Sequence, residues 1–264
     1  MSMTKSVRML ALALAGALAV GTAQPAAAQD GELARIVSNK TVRVGAIEAY
    51  PYYRKDLKSG EWTGMMPEIF DTLFGSIGVK VEYVTTTWGT AAAGLQANQF
   101  DVVGGLNATP MRALALSFSV PIAQSKLSVM TLGDDSSGFT TWAGLNSPDV
   151  KIAAVDGAST TRLGQKLAPD ATWTLVKSTD AMILELESGR VDVILSNAPT
   201  LSQYKQAKGA GTLVIPEPVR AQNVNIGLRQ NADDLKAWLD VAVDYFTAIG
   251  DIPTIWDKYV PVED

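Results

Sequence analysis

The sequence predicts an α/β protein made of two similar halves, each a largely parallel sheet flanked by helices. Two observations carry that prediction. The stretch Leu95 to Val102, reading Leu-Gln-Ala-Asn-Gln-Phe-Asp-Val, has a near copy at Leu186 to Val193, reading Leu-Glu-Ser-Gly-Arg-Val-Asp-Val. Each reads as a helix end, a turn, an aspartate and an apolar strand that breaks into small polar residues, and a repeated supersecondary unit implies two similar halves. The flanks extend the match: Val42 to Ala46 before a loop at Glu48 to Pro51 resembles Lys151 to Val155 before Asp156 to Ser159, and Lys80 to Val84 resembles Thr172 to Val176. Strands alternating with helical stretches indicate βαβ units. Open sheets of this kind bind ligands at strand C-termini, so the two polar strand ends are expected to face each other across a cleft.

The chain begins with Lys5 and Arg8, an apolar stretch from Met9 to Val20, and Ala26-Ala-Ala28. This pattern predicts a secretory signal peptide over residues 1–28, the apolar run being short for a permanent membrane span. Without those residues Lys plus Arg number 20 against 27 Asp plus Glu, a net charge of −7. An acidic chain with no basic stripe argues against nucleic acid or an anionic membrane surface as partner. The sequence contains no cysteine and no histidine. A lipid-anchored cysteine, disulfides, a thiolate zinc site and a Ser-His-Asp arrangement are thereby excluded. No cofactor or metal is expected, and no phosphate-binding glycine motif is present.

In order, a short helix is predicted from Gly31 to Asn39, and Val42 to Ala46 is the first buried strand, marked by its β-branched content. Three tyrosines around Pro51 follow in a loop at that strand's C-terminus. A phenol offers an apolar face and a polar tip, and Tyr50 is assigned to a ligand. A polar hairpin turning at Lys58-Ser-Gly60 leads to an amphipathic helix with Met66, Ile69, Phe70, Leu73, Phe74 and Ile77 on its core stripe, Pro67 near its start and Gly78 past its end. Trp88 comes just after a strand, at the sheet edge expected to carry Tyr50 and Asn107. Thr109-Pro-Met-Arg112 is the sharpest chemical signal. Thr109 can cap a helix whose first residue is Pro110, leaving Arg112 in the first turn, where a cation is disfavoured by the helix dipole. That placement makes sense if Arg112 turns into the cleft to hold a carboxylate.

Taken together these motifs resemble the periplasmic solute-binding proteins of the amino-acid type, family 3, that serve ABC importers. The resemblance rests on Val-Arg-Val-Gly before a Tyr-Pro loop, Trp62-Thr-Gly64, Gly78-Val-Lys-Val-Glu82, Trp88, Phe100-Asp101-Val, Thr109-Pro-Met-Arg112, Phe118-Ser119 with Pro121, Gly189-Arg-Val-Asp192 and Trp256-Asp-Lys-Tyr259. It implies a type II periplasmic-binding fold, a two-lobed clamp that the chain crosses twice. Lobe one would then be residues 29–128 and 222–264, and lobe two residues 129–221. Ser125 to Leu132 and Ala221 to Arg229 fit the crossovers, and a last helix from Asp233 to Ile249 would pack back on lobe one through Leu235, Leu239 and Phe246. The resemblance further implies that Arg112 takes the ligand's carboxylate, helped by backbone near Gly105 and by Asn107, while Tyr50 and Trp88 sandwich its side chain. Across the cleft, Ala158, Ser159 and Thr160 at a helix N-terminus would add N–H groups and a hydroxyl; the alternative for that stretch is a simple helix cap.

Two departures from the family pattern bear on the ligand. Asn197 stands where amino-acid binders carry an acid for the α-ammonium, with Asp156, Asp180 and Glu48 as candidate substitutes. Ile47 stands where binders of basic amino acids can carry an acid, which disfavours lysine and arginine. The expected protein is a free periplasmic monomer that captures a small carboxylate, first an uncharged amino acid and second an organic acid, and delivers it to a membrane permease. Two alternatives share the fold. A dehydratase resembling the cyclohexadienyl dehydratases would need a raised-pKa carboxylic acid in the cleft, and an extracytoplasmic sensor would need the same closing clamp.

Overall fold

The computed structural model describes residues 31–133 and 135–260. The signal peptide expected over residues 1–28 lies outside them. The first run of elements is helix α1 (Glu32–Asn39), strand β1 (Thr41–Ile47), the small hairpin β2 (Arg54–Lys55) and β3 (Trp62–Thr63), helix α2 (Met65–Gly75), strand β4 (Lys80–Thr86), helix α3 (Ala91–Gln96), strand β5 (Val102–Asn107), the single-turn α4 (Pro110–Ala113) and strand β6 (Leu116–Phe118). The long strand β7 (Ala123–Thr131) leads into the second run: α5 (Trp142–Leu145), β8 (Lys151–Val155), α6 (Ser159–Leu167), β9 (Thr172–Val176), α7 (Thr179–Glu187), β10 (Val193–Asn197), α8 (Ala198–Lys208) and β11 (Thr212–Val214). The long strand β12 (Ala221–Arg229) returns the chain, which ends in α9 (Asp233–Ala248) and α10 (Asp251–Tyr259).

The strands run in the order β4-β1-β5-β12-β7-β10-β8-β9, with β6 on β12 and β11 on β7. Pairing is parallel where the repeat predicts βαβ units, between β1 and its neighbours β4 and β5 and between β8 and its neighbours β9 and β10. It is antiparallel along β12 and β7, which lie side by side between the two runs through Ala221↔Lys126 to Val224↔Ala123.

The repeated aspartates do the same job in each half. Asp101 Oδ2 accepts the Arg43 N–H at 2.8 Å, and Asp192 Oδ2 accepts the Lys151 N–H at 2.8 Å, so each carboxylate anchors the start of the neighbouring strand. The turn before each aspartate is left-handed, at Asn98 (φ 57°) and Gly189 (φ 67°). Asp101 carries the heavier load, because Arg43 and Arg35 both reach its fully buried carboxylate, at 2.5 and 2.6 Å.

Helix α2 buries the expected stripe, with Met66, Ile69, Phe70, Leu73 and Phe74 fully covered. Burial of each such side chain stabilises by roughly 1.5–3 kcal/mol. Ile77 was expected on that stripe. It falls beyond the helix end at Gly75 and is 37% exposed, because the chain turns through Gly78 at φ 68° before the stripe comes round again. Leu235 and Leu239 of α9 enter the same core and Phe246 packs partly against it. A further helix, α10, follows Gly250 where α9 had been expected to be last. The second half has its own core, in which Leu127, Val129, Ile152, Val193 and Leu195 come together.

Candidate functional site

The C-terminal ends of β5 and β10 and the N-terminal ends of α6 and α8 meet at one cleft. Its walls carry Trp88, Gly105, Asn107, Arg112, Ala158, Ser159 and Asn197, seven of the eight residues singled out in the sequence. Tyr52, Thr160, Thr179, Ser196 and Thr200 complete its polar and aromatic lining. About 30 Å³ of space remains at its heart, room for one or two waters. The two walls therefore stand close together, with hydrogen bonds running between them.

Tyr50 is the eighth residue and is not in the cleft. The turn closed by the Tyr52 and Tyr53 N–H groups on Ala49 O sends Tyr52 inward instead. Tyr52 is buried, with its ring edge-on to Trp88 at 6.5 Å and to Trp256 at 6.4 Å. Burial pushes its phenol well above the ordinary tyrosine range, so it stays protonated. Tyr50 is 36% exposed in an adjoining groove of about 650 Å³, its ring under the Arg54 guanidinium and against Tyr259. Gly105 lies beneath the inner aromatics at φ 75°, where a Cβ would come within 3.0 Å of Tyr52 and 3.4 Å of Trp88. Only glycine takes that backbone without strain.

Arg112 is positioned by the cap read from the sequence, since Thr109 Oγ1 accepts the Arg112 N–H at 3.2 Å. Its side chain turns inward and only 8% of the residue is exposed. The guanidinium donates to Asn107 O at 3.1 Å and makes a long approach of 3.5 Å to Gly157 O on the opposite wall. It has no carboxylate partner among the described residues. Burial first, and then the charge of Arg162, brings its pKa down to about 10. A buried cation without a countercharge is costly, and native proteins ordinarily pair such groups.

On the facing wall α6 begins at Ser159 without a side-chain cap. The N–H groups of Ser159, Thr160 and Thr161 are those a helix leaves without internal acceptors. The Ser159 hydroxyl donates to Asn107 Oδ1 at 2.6 Å, with Gln222 Oε1 at 3.2 Å as a second acceptor. It thus bridges the cleft and does not serve as the simple cap that was the alternative reading. Two further contacts hold the walls together: Gln203 Nε2 donates to Tyr259 O at 2.7 Å, and the backbones of Gly157 and Gly89 touch, so that a Cβ on Gly157 would lie 2.6 Å from Gly89 Cα.

Asn197 lines the cleft and also caps α8, its Oδ1 accepting the Thr200 N–H at 3.0 Å. The cap was missed in the sequence, although Asn197 followed by Pro199 is a helix-start signature. The acids named as substitutes for the missing carboxylate are elsewhere. Asp156 is held by Lys177 at 2.7 Å, and Glu48 and Asp180 line the outer groove.

Comparison with known proteins matches residues 42–262 to the bacterial extracellular solute-binding proteins, family 3. A Haemophilus influenzae protein described as a probable amino-acid ABC transporter-binding protein is 30% identical over 203 residues, 75% of each chain. The cyclohexadienyl dehydratase of Pseudomonas aeruginosa is 23% identical over 74% of this chain and 73% of its own. Among solved structures, an ancestral amino acid-binding protein, described as a precursor of cyclohexadienyl dehydratase, superposes with a TM-score of 0.79 at 26% identity, covering 87% of this chain and 99% of that one.

Proposed function

Because the chain belongs to the bacterial extracellular solute-binding proteins of family 3, with the type II periplasmic-binding fold, we propose that it closes on a small carboxylate and hands it to the permease of an ABC importer. The closing bodies are residues 29–128 with 222–264, and residues 129–221, hinged where β7 and β12 run side by side. Cleavage of an export signal over residues 1–28, as the sequence suggests, would leave the protein free in the periplasm, where it would act as a monomer.

The observation that carries the reading is Arg112, a cleft guanidinium that is buried and has no acidic partner among the described residues. A ligand carboxylate would supply the missing charge, and the uncapped N-terminus of α6 faces the same space and favours an anion. Closure then couples to binding, since the Ser159 to Asn107 bond forms only when the walls meet. A relative described as a probable amino-acid ABC transporter-binding protein supports an amino acid as ligand; Ile47 in place of an acid favours an uncharged one, and Asn197 in place of an acid leaves an organic acid as the other class.

The dehydratase alternative draws on the Pseudomonas aeruginosa relative but needs a carboxylic acid to protonate a leaving hydroxyl. The described lining of the cleft holds no aspartate or glutamate, which favours binding without turnover. A thermal-shift screen of amino, 2-oxo, 2-hydroxy and dicarboxylic acids tests the proposal. A ligand at about a hundred times its dissociation constant adds about 2.7 kcal/mol. A carboxylate that raises the melting temperature and is recovered unchanged is the expected result. Conversion of prephenate or arogenate would replace the proposal with the enzyme reading.

A further inference from the structure

The amide oxygens of Asn107 and Asn197 and the carbonyls of Asn107 and Gly157 already accept hydrogen bonds at the cleft, whereas Asn197 Nδ2 donates none among the described residues. Asn197 Oδ1 is committed to the Thr200 N–H. That bond also fixes the amide's orientation, because a flipped Asn197 would set NH2 against N–H. Its Nδ2 makes no hydrogen bond among the described residues. Asn107 is used at both ends of its side chain, Nδ2 donating to Asn223 O at 2.8 Å and Oδ1 accepting from Ser159, and its backbone oxygen takes Arg112. Gly157 O is approached by two guanidiniums, Arg112 at 3.5 Å and Arg162 at 3.4 Å.

An α-ammonium entering this space would bring three donors and a full positive charge next to Arg112. Among the side chains of the lining, neutral hydroxyls such as those of Thr160, Thr179, Ser196 and Thr200 are left to accept from it, and no carboxylate there would offset its desolvation. An oxygen on the same carbon has the opposite needs. A 2-oxo group accepts from Asn197 Nδ2, and a 2-hydroxyl accepts there while donating to one of those hydroxyls.

We infer that the cleft takes a 2-oxo or 2-hydroxy carboxylate in preference to the matching 2-amino acid, with the carboxylate on Arg112 and the C2 oxygen on Asn197 Nδ2. The inference rests on the proposed grip of Arg112 on a carboxylate and adds the chemistry at C2.

Calorimetric titration of matched triads decides it: alanine, pyruvate and lactate; leucine, 4-methyl-2-oxopentanoate and 2-hydroxy-4-methylpentanoate; phenylalanine, phenylpyruvate and phenyllactate. Each is run against the unmodified protein, Asn197→Asp and Arg112→Met. Aspartate is as good a helix cap as asparagine, so the first variant keeps α8 while placing a carboxylate in the cleft. In the unmodified protein an oxo or hydroxy acid is expected to bind on the order of tenfold or more tighter than its amino counterpart. Asn197→Asp reverses that order. An amino acid binding as tightly as its oxo partner, with binding lost in Arg112→Met, overturns the C2 inference and leaves the carboxylate grip standing. Absence of binding by every triad to both the unmodified protein and Asn197→Asp overturns both.

Discussion

Replacing Arg112 by methionine should stabilise the empty protein while abolishing ligand capture. Burial, with the charge of Arg162 beside it, brings the guanidinium down from its ordinary value to about 10. At about 1.4 kcal/mol for each tenfold step, roughly 3 kcal/mol is held against the charged form in the closed, ligand-free arrangement, and less wherever the walls part. Methionine keeps much of the side chain's volume and removes the charge. It also removes the bond to Asn107 O, worth about 1 kcal/mol, so the net gain should be about 1–2 kcal/mol, a rise of a few degrees in melting temperature. The sign with pH follows from linkage. Below about pH 10 the arginine is charged both folded and unfolded, so the penalty is present in full. Above that the folded form loses its proton first, and the penalty fades as pH rises. The difference between the two proteins should therefore be flat across the neutral range. Thermal melts without ligand, and with whichever carboxylate stabilises the unmodified protein, read both effects. A methionine variant that melts lower than the parent and still responds to ligand would overturn this role for Arg112.

Two other substitutions probe separate parts of the structure. Gly157→Ala puts a Cβ 2.6 Å from Gly89 Cα at a φ of 77°, so it should hinder closure and weaken binding at least about tenfold with the fold intact by circular dichroism. Gly89→Ala, whose Cβ would be 3.9 Å from Gly157 Cα, should bind within about twofold of the parent in the same titration. Asp101→Asn leaves Arg35 and Arg43 without their shared countercharge and should cost about 3 kcal/mol in urea unfolding. Burial pushes the Asp101 carboxyl up, but bonds from Arg43 and the charge of Arg35 outweigh it and hold the group below the usual carboxylate range. Its stabilisation is thus complete above about pH 4 and is lost as pH falls further. The asparagine variant should lack that part of the acid dependence.

Much of the fold was legible because the repeat encodes a hydrogen-bonding device. Asp101 and Asp192 each anchor the strand beside them, and an aspartate after a left-handed turn is visible in sequence. Arg112 was legible because Thr109 and Pro110 declare a helix start, which fixes where the arginine must be. Tyr50 and Tyr52 could not be distinguished, since both follow the same strand and the inward direction is set by a turn closed on Ala49 O and by rings contributed from Trp88 and distant Trp256. The second role of Asn197 was hidden for a different reason. The cap was readable from Pro199, but its consequence for ligand chemistry depends on which end of the amide the cap consumes, a matter of three-dimensional geometry.

Arg112 is proposed to hold a ligand carboxylate inside the closed cleft. Titrating the best-binding acid and its primary amide into the same protein tests it most directly, because the pair differs only in the charge that Arg112 is said to hold. The acid should bind with one site per chain and the amide about a hundredfold more weakly, the loss of a charge-assisted bidentate pair. Equal affinities for acid and amide would contradict the claim and with it the role assigned to Arg112.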